Sequence, residues 1–288
     1  MKLLLFCVLG LGCSAADPAV VGSGGGLDGA AAPAPDGSVP SAPDLGGGPA
    51  PIVDQDHDGL DDNDELAWAQ AYLPYISHSP TEGCALGGIL VRVSPHAQNP
   101  KLLHILYDFL YDNDCGTAVG GIGGHVGDDE AFATTVDPSK PGPQGIVSIK
   151  AISHQGTLCE RTSECGRCPG QTPCATLPRN GQDWPAVWPS KDKHGSYVNR
   201  ADSCTLFSTC GDVCEDNPTP ATPPLVNAGE PMSAMVHDLT TNGFITSANG
   251  WMNAALFHYD PWSGKSFGGA GNVTGDLEDP AFATAACD

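Results

Sequence analysis

The stretch Asp54-Gln-Asp56-His-Asp58-Gly59-Leu60-Asp-Asp62-Asn-Asp-Glu65 matches the twelve-residue cation loop Asp-x-Asp-x-Asp-Gly-x5-Glu at every defining position. In that pattern Asp54, Asp56 and Asp58 offer side-chain oxygens and Leu60 its carbonyl. Asp62 acts directly or through water, Glu65 closes the loop as a bidentate ligand, and Gly59 permits the sharp turn. An all-oxygen donor set of this charge suits a hard dication, and calcium is the expected cofactor. The competing reading is an acidic solubilising linker, which would have no need of so many fixed positions.

A second concentration of ligand-type residues is Gly123-Gly-His125-Val-Gly-Asp128-Asp129-Glu130-Ala-Phe132. It leads into the apolar and threonine run 131–136, which reads as a strand. Strand alternation sends Asp128 and Glu130 to one face and Asp129 to the other. A bend at Gly127 would bring His125 round to the Asp128 face, where two oxygens and a nitrogen could hold a second divalent cation. The plain alternative is an acidic turn at a strand end with a surface histidine.

At these residues the chain resembles two related families. Gly124-His125-Val-Gly-Asp128-Asp129-Glu130 is similar to the Gly-His-Arg-x-Asp-Trp-Glu signature of the necrosis-inducing protein family. It is also similar to the Gly-x-His-x-Gly-Asp-Trp-Glu segment of the vacuolar-protein-sorting-62-like family, with Tyr107 to Tyr111 as the aromatic strand before it. Ser190-Lys-Asp-Lys-His194-Gly-Ser-Tyr197 resembles the Ser-x-His-x-Ser-Tyr stretch of the latter. The resemblance implies a β-sandwich. It also implies a divalent cation on His125, Asp128 and Glu130 with Asp114 upstream, near a membrane-contacting end. The signature tryptophan is Asp129 here and the arginine is Val126. His194 and Asp129 are carried as candidate ligand-binding residues.

The elements that must position these groups follow a simple order. Residues 1–13 carry one lysine, an apolar run and small residues before Cys13, which reads as an export signal. Gly12-Cys13 resembles the end of a bacterial lipobox, so a lipid on Cys13 is expected, with cleavage after Ala16 as the rival. Residues 14–52 are dominated by Gly, Ala, Pro, Ser, Val and Asp. Such a composition cannot offset its ordering entropy and reads as a disordered linker, with a reach on the order of 35 Å. Residues 53–75 comprise the cation loop and a short helix from Glu65 to Tyr72 that stops before Pro74. The prolines in front argue for half an EF-hand rather than a paired sensor.

Residues 76–288 read as one disulfide-rich, mainly β domain with long loops, a β-sandwich. Ile89, Val91 and Val93 alternate with Leu90, Arg92 and Ser94; Leu103, Ile105, Tyr107, Phe109 and Tyr111 alternate with a more polar set that includes His104, Asp108 and Asp112. That second set reads as a solvated sheet face. Residues 146–152 form a further strand, with weaker ones at 235–239 and 243–246, and residues 259–280 read as a long loop. Of twelve cysteines, ten remain after Cys7 and Cys13 are set aside, so up to five disulfides are expected in an exported chain. Cys159, Cys165, Cys168 and Cys174 lie in a stretch with no strand pattern, and oxidation is favoured there over zinc. Cys204, Cys210 and Cys214 make another group, leaving Cys84, Cys115 and Cys287 for distant cross-links.

A net charge of −22 disfavours nucleic acid and anionic headgroups as electrostatic partners. No His-Glu-x-x-His helix or phosphate loop is present. The expected function is an exported, membrane-tethered, cation-binding module for a glycan, lipid headgroup or protein on a bacterial cell surface. The alternatives are a metal-dependent hydrolase, with Glu130 or Asp129 as base and His194 positioning substrate, and a cytolysin of the necrosis-inducing type.

Overall fold

The computed structural model describes residues 52–116, 124–155, 158–200, 211–229 and 280–287, without the side chains of Asp112, of residues 125–127 and of Pro280. The leader, Cys13, the linker up to residue 51, the strands expected at 235–239 and 243–246, and most of the 259–280 loop lie outside the described residues.

Helix α1 (Asp62–Ala71) begins three residues earlier than the sequence suggests, because Asp61 caps it: its carboxylate accepts from Asn63 N at 2.9 Å. Asp62, Asp64 and Glu65 in the first turn complement the positive end of the helix dipole. The helix ends at Tyr72, ahead of Pro74.

The chain then forms β1 (Tyr75–Ile76), β2 (Leu86–Pro95), β3 (Leu103–Asp114), β4 (His125–Val136), β5 (Ile146–Ser153) and β6 (Arg161–Gly166). After these come β7 (Thr176–Arg179), β8 (Gln182–Pro189), β9 (Ser196–Tyr197) and β10 (Leu225–Asn227). Six strands make one sheet in the order β10-β2-β3-β4-β5-β6, antiparallel except where β10 runs parallel to β2. In the second sheet β8 is central, flanked by β1 and β7 and paired with β9. The mainly β, disulfide-containing architecture expected from the alternation is present.

One face of the larger sheet presents Ile89, Val91, Val93, Ile105, Tyr107, Phe109 and Phe132 to a core shared with Tyr75, Ile76, Ala186, Val187 and Trp188 of the smaller. Tyr107 stacks on Phe132 with centroids 4.8 Å apart, and Phe109 tilts against the same ring at 5.3 Å. Each fully buried ring stabilises by about 1.5–3 kcal/mol. Helix α1 belongs to this core through Trp68, Ala69 and Tyr72, and Tyr107 donates its hydroxyl to Ala69 O at 2.9 Å. The cation loop is thereby joined to the β-domain rather than set apart from it.

The opposite sheet face, expected to be solvated, is covered. Leu106, Asp108 and Leu110 are buried there. The C-terminal strap, a 3₁₀ turn at Pro280–Phe282 with the residues after it, lies over this face. His104 Nε2 meets Phe282 O at 3.1 Å, His96 Nε2 meets Thr284 O at 2.9 Å, and Ser148 donates to Ala285 O at 2.7 Å. A Cys168–Cys287 disulfide fixes the strap. A period-2 pattern shows two faces but not what a segment about 150 residues later does to one of them.

The cysteine-rich stretch also departs from expectation, since Cys165 lies in strand β6, paired with Ile149. Its Arg-Thr-Ser-Glu-Cys-Gly sequence lacks apolar alternation because it is an edge strand, with Arg161 and Glu164 exposed. Cys165–Cys174 and Cys84–Cys115 are disulfides, and Cys159 and Cys214 are disulfide-bonded too. Such bonds suit an oxidising, extracellular setting. No helix among the described residues is long and apolar enough to cross a membrane.

Candidate metal centre

The acidic loop gathers its carboxylates into two overlapping groups. Gly59 takes the left-handed φ of +95° and donates its amide to Asp54 Oδ2 at 3.2 Å, while Leu60 N donates to Asp58 Oδ1 at 2.8 Å. Leu60 buries its side chain in the core and anchors the loop. These local bonds turn three carboxylates inward: ligand oxygens of Asp54, Asp56 and Asp58 lie within 4.8 Å of one another. Asp56, Asp62 and Glu65 form a second such group, and Asp56 is common to both. The ends of the loop are tied by Asp62 N to Val53 O at 2.7 Å and by Gln55, whose N and Nε2 donate to Asp62 Oδ1 and Oδ2.

Glu65 is wholly buried. Its Oε2 accepts a hydrogen bond from Asn227 Nδ2, and Oε1 has no hydrogen-bond partner among the described residues; neither has Asp54 Oδ1. Burial pushes the Glu65 carboxyl up to about 9; the Asn227 bond opposes this, and the charges of Asp56, Asp58 and Asp62 add to it. Two unit charges at this spacing repel by roughly 1 kcal/mol in water and by roughly 3 kcal/mol at an effective dielectric of about 20. A dication at the centre attracts each carboxylate and so offsets their mutual repulsion. The donor set fits such an ion.

The other expected site is distributed differently. The register between β3 and β4 runs unbroken from Leu103↔Val136 to Asp114↔His125. Tyr111↔Asp128 and Phe109↔Glu130 place those two carboxylates at inner-face positions, and Leu110↔Asp129 places Asp129 at an outer one. By the same alternation His125 and Asp114 sit opposite each other at outer-face positions, because Gly127 introduces no change of register. The backbone register therefore puts Asp114 at a position on the opposite face from those of Asp128 and Glu130. The His125 side chain itself lies outside the described residues. Asp114 is buried, accepts from Gly116 N, and faces Lys193 Nζ at 3.4 Å.

What Asp128 meets is His194. Its Oδ2 is 2.7 Å from His194 Nδ1, and His194 Nε2 lies 3.7 Å from Glu82 Oε1. The imidazole stacks on the Tyr111 ring at 3.5 Å and 5°. His194 is completely buried and has φ +59°, a costly backbone region for a non-glycine residue. Glu82 is oriented by the amides of Gly83, Cys84 and Asp192. Burial alone would push the His194 pKa down, but Asp128 and Glu82 raise it to about 9; burial would push Glu82 up, but His194 and the amide donors hold it at about 2. The arrangement is an imidazole hydrogen-bonded to Asp128 through Nδ1, with Glu82 beyond hydrogen-bond distance of Nε2 but close enough to act through its charge. Cys84 is near both Glu82 and His194, but it is bonded to Cys115 and offers no thiolate.

Asp129, the other candidate ligand residue, is buried at the far face of β4 and does not meet His194. The rest of the 190–197 motif converges on Asp212, which accepts from Ser190 Oγ at 3.1 Å, Tyr197 Oη at 2.7 Å and lies 2.7 Å from His154 Nε2. Glu82 and Asn227 are absent from the sequence reading. Neither lies in a recognisable motif, and their partners are more than a hundred residues away.

No family model matches the chain, and no curated protein matches it. Among solved structures it is similar to one described as "Toxin fold for microbial attack and plant defense", at 13% identity and a TM-score of 0.29, over 62% of this chain and 78% of that one. A likeness of that size supports no argument about this chain's activity, and the family resemblance at 124–130 rests on those residues alone.

Proposed function

We propose that the chain is an exported binding module, tethered to a bacterial membrane through a lipid on Cys13 and stabilised by a calcium ion in the 54–65 loop. The supporting observation is that five carboxylates of that loop form two ligand-type groups sharing Asp56, while Glu65 Oε1 is buried without a hydrogen-bond partner among the described residues. The ligands are Asp54, Asp56, Asp58, Asp62 and Glu65 with the Leu60 carbonyl. The recognised partner is a glycan, lipid headgroup or protein at the cell surface; nucleic acid is disfavoured by charge. The burial of His194 supports a binding module over a hydrolase, since an enclosed imidazole held between two carboxylates has no access to substrate.

Calorimetric titration of the full chain with calcium tests this reading. Binding with a Kd on the order of 10⁻⁴–10⁻³ M is expected, as in extracellular modules, and is lost in Asp54→Ala/Glu65→Ala. No heat in the parent chain would sink it. Dye release from liposomes, or turnover of phosphoester and glycoside substrates, would replace the binding reading with the cytolysin or the hydrolase.

A further inference from the structure

Glu65 is a buried carboxylate whose two oxygens are treated differently. Oε2 accepts from Asn227 Nδ2, a bond that favours the ionised form, and Oε1 has no partner among the described residues. No lysine or arginine among the described residues pairs with Glu65. A buried oxygen without a partner calls for one, and the position facing Asp56 and Asp62 is where a cation would serve.

Asn227 comes from 162 residues further along the chain. It closes β10, a three-residue edge strand running parallel to β2 with Asn227 opposite Val91. Its Oδ1 accepts from Gly229 N at 3.2 Å, so the amide is fixed at both ends with Nδ2 turned toward the helix. Only 7% of the residue is exposed. Ala228 N donates to Val91 O and Ile89 N to Pro224 O, which seat the rest of the strand.

We propose that Asn227 is a positioning residue of the cation site: it holds Glu65 Oε2 so that Oε1 is presented to the ion, and the bound ion in turn secures β10 on the sheet edge. The inference rests on the reading that the 54–65 loop takes a dication. Hydrogen-bond partners of ligating carboxylates typically contribute 10–100-fold to metal affinity.

The test uses the full chain with calcium alone as probe. Asn227→Ala is expected to weaken calcium binding about tenfold or more in calorimetry. Leu225→Ala, which loosens the same strand without touching Glu65, weakens binding far less than Asn227→Ala. Hydrogen exchange at the amides of Leu225–Asn227 slows on adding calcium to the parent chain but not to the Asn227→Ala variant. If the parent binds calcium and Asn227→Ala binds it equally well, or Leu225→Ala is as damaging, the positioning role is overturned while the loop reading survives. If the parent takes no calcium, both fall. Should Asn227→Ala fail to fold, parent exchange rates at 225–227 that ignore calcium overturn the coupling by themselves.

Discussion

His194 Nδ1 stands 2.7 Å from Asp128 Oδ2, 66 residues away in sequence, with its ring parallel to that of Tyr111 at 3.5 Å. The partnership predicts how stability follows pH. The imidazole titrates near 6.5 when unfolded and near 9 in the fold, where Asp128 and Glu82 outweigh burial. Its contribution is therefore complete below about pH 6.5 and is lost as pH rises through 9. Glu82, held at about 2, contributes above about pH 4.5 and loses that contribution as pH falls toward 2. Thermal melts of the full chain should show Tm falling between pH 7 and 9.5, and His194→Gln should remove most of that slope. An unchanged slope in the variant would assign it to other groups.

Removing one partner of a buried charge pair costs about 3–5 kcal/mol, since the other charge is left uncompensated. Asp128→Ala should therefore lower the unfolding free energy by that amount, read as a lower urea midpoint with little change in slope, and leave calcium binding at the 54–65 loop intact. The outcome separates two roles for Asp128. If the variant instead deletes a second cation-binding event at ordinary stability, the ligand set suggested by the resemblance at His125, Asp128 and Glu130 is right and the bond to His194 is secondary.

The two sites were unequally legible from sequence for a physical reason. The ligands of the 54–65 loop are local, and the glycine turn and the Asp61 cap that aim them lie within the same dozen residues. Strands β2 to β5 were legible because their inner positions, from Ile89 to Ile149, repeat every second residue. Glu82 and Asn227 carried no such signal: each is an ordinary polar residue until folding brings it to His194 or to Glu65. The solvated face expected for Asp108 failed for the same reason, because the strap over it comes from residues 280–287.

That strap is held by side-chain contacts and by one covalent bond. Cys168–Cys287 spans 119 residues, and losing a bridge of that length typically costs about 2–5 kcal/mol through the freedom it restores to the unfolded chain. Cys168→Ser/Cys287→Ser should lower Tm and make the C-terminal residues sensitive to carboxypeptidase, as the bonds from His96, His104 and Ser148 to strap carbonyls are left to hold it alone. Resistance equal to that of the parent would mean that those bonds suffice.

Gly59 and Gly170 permit a separation of turn strain from ligand geometry. Both have left-handed φ values, +95° and +88°, and an added Cβ would meet nothing within 4 Å at either position. Alanine therefore brings backbone strain of about 1–2 kcal/mol and no clash. At Gly170, in the turn after β6, that strain lowers stability whether or not calcium is present. At Gly59 the empty loop can relax away from the strained turn, but it must readopt it for Gly59 N to reach Asp54 Oδ2 and for Leu60 N to reach Asp58 Oδ1. The strain then appears in the binding step. Gly59→Ala should weaken calcium binding by about 5- to 30-fold, the equivalent of about 1–2 kcal/mol, while Gly170→Ala lowers Tm and leaves the affinity alone. Equal affinity in the two variants would show that the φ of Gly59 is not needed to assemble the ligands.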